Sequence, residues 1–219
     1  MSDYYSYKKI DELHAKFNLV ISRYCTGKTY GMMKKILDVY IETGMSSAYV
    51  RRLAEDLQPR HINFLFNSIR DYIEEKTHGK YNDVFYQSRA FYLIKNEILS
   101  DGSTKCISKD SKPFCRTYDI NTSTPIIEVY KLRYIMFDEF MSCRGYLSNE
   151  CKKFRQLCLN IKNNDDVQIY MLGNSIDKYC PYFKDMGLKD VADMEQGTIN
   201  LQTVNLDNFG KTTIAVDFC

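Results

Sequence analysis

The sequence has 219 residues, 44% of them hydrophobic and 26% charged, with a formal net charge of +2. That suits one α/β domain with its own core, or a domain plus an appendage, and the composition reads as soluble and globular. No apolar run approaches the ~18 residues a membrane helix needs, the start "MSDYYSYKKIDEL" has no signal-peptide core, and so small a net charge leaves any nucleic-acid contact to local patches.

In chain order, residues 1–16 are rich in tyrosine and charge and predict a short segment with a helical turn. Residues 17–22 read as a buried strand. From Lys28 to about Glu42 a helix is predicted, with apolar positions Met32, Met33, Ile36, Leu37, Tyr40 and Ile41, and Gly44 where a helix ends. "SSAYVRR" (46–52) reads as a strand ending in two arginines, and a long helix is expected over 58–76. Residues 82–94, aromatic and β-branched, predict a hairpin; 100–114 predict a polar, lysine-bearing loop; "CRTYDI" predicts another strand. "RYIMFDEF" (133–140) and "VQIYMLGN" (167–174) read as buried strands around a helix near 148–162, with Ser148 as N-cap and a stripe of Leu147, Cys151, Phe154, Cys158 and Ile161. Strands alternating with helices imply a mainly parallel central sheet flanked by helices, with a β-rich insertion at 80–130.

The eight cysteines contain no C-x-x-C pair, and the three histidines do not cluster beside them, so reduced thiols are expected rather than zinc or disulfides. Chemistry is carried elsewhere. "SRYCTGKT" (22–29) is strand, loop, Gly-Lys-Thr and helix in the order of a phosphate-binding P-loop, with Ser22 where the pattern G-x-x-x-x-G-K-[ST] has its first glycine. Loop and helix N–H groups face an anion there, Lys28 adds a point charge, and the Thr29 hydroxyl suits Mg²⁺. A solvated strand–helix connection is the alternative for the tripeptide alone. "YIMFDEF" answers it: four apolar residues deliver Asp138 and Glu139 to a strand's C-terminal end, where open α/β sheets bind ligands. Asp138 is expected to hold Mg²⁺ and Glu139 to polarise the attacking water. Asn174, ending the next apolar strand, is a candidate γ-phosphate sensor, or only a turn former.

"NLVISRYCTGKTY" with "AYVRR", then "YIMFDEF", then "MLGNSIDKYCPYF" together resemble the DNA-packaging (encapsidation) ATPases of small tailed bacteriophages of the Picovirinae type, relatives of the large terminase motors. The resemblance covers roughly 17–52 and 133–183. It implies a RecA-like P-loop NTPase of the additional-strand, catalytic-glutamate class, using ATP and Mg²⁺ to move double-stranded DNA into a preformed capsid. Its nucleotide-binding residues would be Ser22, Arg23, Tyr24, Cys25, Thr26, Gly27, Lys28, Thr29 and Tyr30, with Arg23 as P-loop arginine. The partners implied are a homo-oligomeric ring, expected to be a pentamer, the capsid portal and, in one branch of the family, a structural packaging RNA. The setting implied is the host bacterial cytoplasm and transiently the portal vertex, without a membrane. The ATPase domain is expected over 1–205, with 206–219 as its last strand or the start of a linker to a nuclease-like domain.

The family's trans-acting arginine finger would fall on "NIKNNDD", where Lys162 is the cation, with Arg155 and Arg144 upstream. Lys162 lacks an arginine's planar fork but is expected at a rim facing a neighbour's nucleotide. Arg51 and Arg52 could contact phosphate or DNA, sense the nucleotide state, or be only solvated; Lys105, Lys109, Lys112 and Arg116 could grip DNA phosphates or be only solvated. Tyr4, Tyr5 and Tyr7 could stack on adenine or form a packing edge. Two other classes compete: a P-loop kinase of a small metabolite or nucleotide, and a non-catalytic DNA-binding capsid-assembly protein. The kinase reading leaves Glu139 without a task.

Overall fold

A computed structural model describes residues 4–23, 25–122, 131–162, 165–174, 180–189 and 191–219. Its elements run α1 (Lys8–Asp11), β1 (Phe17–Ser22), α2 (Lys28–Thr43), β2 (Ser46–Arg51), α3 (Pro59–Ile62), α4 (Arg70–Lys76), β3 (Asp83–Gln87), β4 (Ala90–Ile98), β5 (Thr104–Lys109), β6 (Cys115–Asp119), β7 (Leu132–Asp138), α5 (Glu150–Ile161), β8 (Gln168–Asn174), α6 (Pro181–Asp185), β9 (Thr198–Leu206) and β10 (Gly210–Phe218).

Apolar side chains on both sides of a strand require cover on both sides, and β1 and β7 show it. Leu19, Ile21, Ile135 and Phe137 join one core with Phe154 and Cys158 of α5 and Tyr182 of α6. Val20 and Met136 join the other with Met32, Ile36 and Leu37 of α2. Among the described residues the strands form one sheet, ordered β3-β4-β6-β2-β7-β8-β1-β10-β9, with β5 paired to β4. From β6 to β10 every pairing is parallel; both edges are antiparallel. One strand, β8, separates the P-loop strand β1 from the acidic strand β7, and the inner order β10-β1-β8-β7-β2 is RecA-like. The hairpin of β9 and β10 spans position 205, the expected domain end.

Helix α2 follows its predicted stripe and stops at Gly44, which is left-handed at φ 68° and donates to the Tyr40 carbonyl at 2.9 Å. Ile41 alone of that stripe is exposed. Four expectations need correction. The helix expected over 58–76 is broken into α3, a 3-10 turn at Asn67–Ile69 and α4. Ile62, Phe66, Ile69 and Ile73 still face the core, so helical spacing survives without a continuous helix. Phe66 sets edge-to-face against Phe91 and Phe114 at 4.8 and 4.9 Å, and weak helix formers Asn63, Asn67 and Ser68 yield to that packing. Residues 104–109 of the expected loop form β5, exposed along its length and held by pairing with β4. Ser148 is not the N-cap of α5: Asn149 takes that position in left-handed geometry, and the Glu150 carboxylate accepts from Leu147 N–H at 2.7 Å. Finally, β6 pairs in parallel with β2, so it belongs to the central sheet rather than to an insertion.

Candidate nucleotide site

Parallel order brings four strand ends to one edge. In register Ser22 lies opposite Asn174, and Asp138 opposite Leu172 of the same strand β8. The first turn of α2 begins there, with Gly27 at φ 81° as its N-cap. Cys25, Thr26, Gly27, Lys28, Thr29, Tyr30, Asp138, Glu139, Gly173 and Asn174 line a cavity of about 270 Å³. The fold therefore brings Lys28, Thr29, Asp138, Glu139 and Asn174 to one cavity. Arg23 is exposed, and its carbonyl accepts from Ser22 Oγ and Lys28 Nζ. Tyr24 and Ser175 lie outside the described residues.

Lys28 is 6% exposed, and its Nζ donates to Ser22 Oγ at 2.6 Å, the Arg23 carbonyl at 3.2 Å and Asn174 Oδ1 at 3.2 Å. Burial pulls its pKa below the ordinary lysine value, against an opposing pull from Asp138. Ser22 is thus more than a tolerated small residue: its hydroxyl holds the lysine and lies 2.6 Å from Thr26 Oγ1. Thr29 Oγ1 donates to Asp138 Oδ1 at 3.3 Å, and Tyr49 OH to Asp138 Oδ2 at 3.1 Å. Burial raises the Asp138 pKa, while Arg51 works the other way. A buried carboxylate beside a threonine hydroxyl and a helix N-terminus fits Mg²⁺, which takes one or two protein oxygens and completes its shell with water and phosphate. Among the described residues no group of three or more His, Cys, Asp or Glu could hold a metal ion.

Glu139 sits at φ 58°, and its side chain is 56% exposed. Arg51 Nη2 donates to Glu139 Oε2 at 2.6 Å, and Arg51 also lies 3.7 Å from Asp138 Oδ2 and 3.6 Å from Asp56 Oδ2. Past Glu139 the chain folds over β8, where Phe140 N–H donates to the Leu172 carbonyl at 3.1 Å. That crossing explains Gly173, since a Cβ there would lie 2.7 Å from Phe140 Cε1 and 2.9 Å from Met141 Cγ.

The N-terminal segment packs on the P-loop, with Tyr5 N–H donating to the Thr26 carbonyl at 2.8 Å. Tyr5 OH donates to Asp217 and Tyr7 OH to the Lys28 carbonyl, so both are packing residues. Tyr4 is 61% exposed, lies against Gly27 and sits 4.9 Å from the Tyr30 ring. Lys109 rests over Tyr92 and donates to Gln87, and Lys112 donates to the Gly44 carbonyl, so both serve the fold. Lys105 is exposed on β5, and Arg116 is half-buried on β6.

Lys162 lies away from this cavity. Helix α5 runs back from the acidic end of β7, so Lys162 emerges at the opposite edge of the sheet. There it shares a cavity with Lys16, Lys211 and Thr213 and lies 3.4 Å from Asp165 Oδ1. Six residues of β1, about 20 Å of strand, separate that edge from the P-loop, so Lys162 cannot reach its own Lys28 site. Arg155 is buried on α5, and Arg144 is exposed in the loop beyond Glu139. What the sequence left unassigned are Tyr49, the pairing of Arg51 with the acids, and Gly173; the first two lie in the "AYVRR" block and the third in "MLGN".

A family model described as podovirus DNA encapsidation protein (Gp16) matches residues 1–200. No curated protein matches the sequence. Among solved structures the chain is similar to the N-terminal domain of the DNA packaging ATPase from bacteriophage phi29: 18% identity, TM-score 0.69, covering 99% of this chain and 96% of that one. It is also similar to the Phi-28 gp11 DNA packaging motor, at 18% identity and TM-score 0.70, covering 100% of this chain and 60% of that one. For the bacteriophage Phi-29 viral genome packaging motor assembly the values are 19%, 0.66, 99% and 59%. The chain thus spans three fifths or less of the two motor chains, and similarity at this identity speaks for a shared fold.

Proposed function

Because the chain belongs to the podovirus DNA encapsidation protein (Gp16) family, we propose that it is an ATP-hydrolysing motor subunit that drives double-stranded viral DNA into a preformed capsid. The observation that carries this reading is the convergence of Lys28, Thr29, Asp138, Glu139 and Asn174 on one cavity at the carboxyl edge of a parallel sheet. Loop N–H groups and the start of α2 bind the ATP phosphates, and Lys28 adds its charge to the β- and γ-oxygens. Tyr4 and Tyr30 offer an aromatic surface beside the loop for the base. Thr29 and Asp138 would hold Mg²⁺, which when bound neutralises charge on the β- and γ-phosphate oxygens. Glu139 orients and polarises the attacking water, with Arg51 fixing where its carboxylate rests. Asn174, already bonded to Lys28, reads the γ-phosphate.

The partners that go with this reading are further copies in a ring, expected to be a pentamer, the capsid portal, double-stranded DNA and, in some members, a structural packaging RNA. The working place is the host cytoplasm and then the portal vertex; no helix among the described residues is long and apolar enough to cross a membrane. A nuclease-like domain beyond the ATPase domain belongs to the same proposal.

Lys28→Ala tests the binding half. Loss of a charge-assisted contact of about 1.5–3 kcal/mol should raise the ATP Kd by about 10- to 150-fold in a fluorescent-nucleotide titration. Unchanged affinity in the folded variant would remove the P-loop assignment.

A further inference from the structure

Two features of the sequence find no use in phosphate chemistry: the second arginine of "AYVRR" and the tyrosine of "CPYF". They meet behind Glu139. Arg52 Nη2 donates to the Phe140 carbonyl at 2.8 Å, and Nη1 donates to the Glu139 carbonyl at 3.2 Å. Its Nε donates to Glu150 Oε2 at 2.8 Å. Glu150 is 3% exposed; its other oxygen accepts from Tyr182 OH at 2.9 Å, and Oε2 accepts from Leu147 N–H at 2.7 Å. Tyr182 is fully buried, pinned among Phe137, Phe140 and Phe154.

Each of the three guanidinium nitrogens therefore donates to a partner. One face of the fork grips two successive carbonyls, and the Nε side is locked by a buried carboxylate that has its own partners. Such an anchor is costly to bury, and its buried charges are paired and hydrogen-bonded as they must be. What it grips is the one turn the proposed chemistry depends on. Glu139 is left-handed at φ 58°, a conformation that non-glycine residues adopt seldom and keep only where surroundings enforce it. Arg51 takes the Glu139 carboxylate while Arg52 takes its backbone, so the two adjacent arginines divide one residue between them.

We propose that Arg52 is a positioning residue for ATP hydrolysis: it holds the Glu139–Phe140 turn so that the Glu139 carboxylate faces the phosphate cavity, with Glu150 and Tyr182 fixing its angle. This rests on the role proposed for Glu139. It also gives the tyrosine of α6, the next described helix after Asn174, a mechanical link to the catalytic turn.

The test uses Arg52→Lys, which keeps the charge and loses the fork, and Tyr182→Phe, which removes one hydroxyl from a buried ring. Each is made alone and in a Glu139→Gln background, with ATP Kd and single-turnover hydrolysis measured on the assembled protein. A misplaced catalytic group costs up to about 100-fold. Arg52→Lys should lower the rate towards that limit with ATP Kd unchanged, Tyr182→Phe should lower it less, and neither should lower it further once Glu139 is Gln. An equal fold-loss in both backgrounds, or no loss in either variant, overturns the assignment. Should Arg52→Lys fail to fold, Tyr182→Phe decides by the same criterion. A Glu139→Gln protein that hydrolyses ATP at the wild-type rate is a separate result, which removes the role of Glu139 itself.

Discussion

Glu139→Gln should lower the rate of ATP hydrolysis by about 10²–10⁴-fold, the usual worth of a positioned general base. The substitution keeps the size of the side chain and its ability to accept from Arg51, which donates to Glu139 Oε2 at 2.6 Å. It removes the charge that polarises water. Binding should survive, because Lys28, Thr29 and the loop N–H groups are untouched. The expected product is a protein that holds ATP without cleaving it, seen as retained radiolabelled ATP after rapid gel filtration. Asp138 cannot substitute: it is buried and already bonded to Thr29 and Tyr49.

A comparably large effect is expected from the cation a neighbour supplies. An arginine acting across an interface is worth about 10³–10⁵ in kcat, and a lysine, without the planar fork, should fall at the lower end. Lys162 lies at the sheet edge away from its own P-loop, so any part it plays in hydrolysis has to be played on another subunit. Lys162→Ala chains keep the P-loop, and Lys28→Ala chains keep the cation. Mixed, they form some interfaces with both parts intact, and hydrolysis that neither variant shows alone should return. Full activity in Lys162→Ala by itself would move the assignment to Arg144, which stands exposed beyond Glu139, or to Arg155.

The parts legible in the sequence were those whose physics is local. Strands β1, β7 and β8 are covered on both faces, so each carries an apolar run (19–21, 134–137 and 169–172) and ends in a polar residue at the site: Asp138 and Asn174 line the cavity, and Ser22 holds Lys28. The Gly-Lys-Thr turn is equally local. Where the sequence misled, distant contacts decided. The spacing of Ile62, Phe66, Ile69 and Ile73 is that of a helix, yet Phe66 is seated by Phe91 from the hairpin and Phe114 just before β6. Strand β5 has no apolar face to advertise it, because β4 alone orders it. Ser148 has the chemistry of an N-cap, but Glu150 is drawn back by Leu147, Arg52 and Tyr182. Which edge of the sheet Lys162 occupies was likewise not legible, because it depends on the direction of α5, and direction is a property of packing.

The most direct measurement is the product and rate of ATP turnover by the assembled ring, with and without double-stranded DNA. A packaging motor should release inorganic phosphate, turn over faster with DNA, and lose both behaviours in Glu139→Gln. Transfer of the γ-phosphoryl group to a small acceptor, or hydrolysis indifferent to DNA, would contradict it.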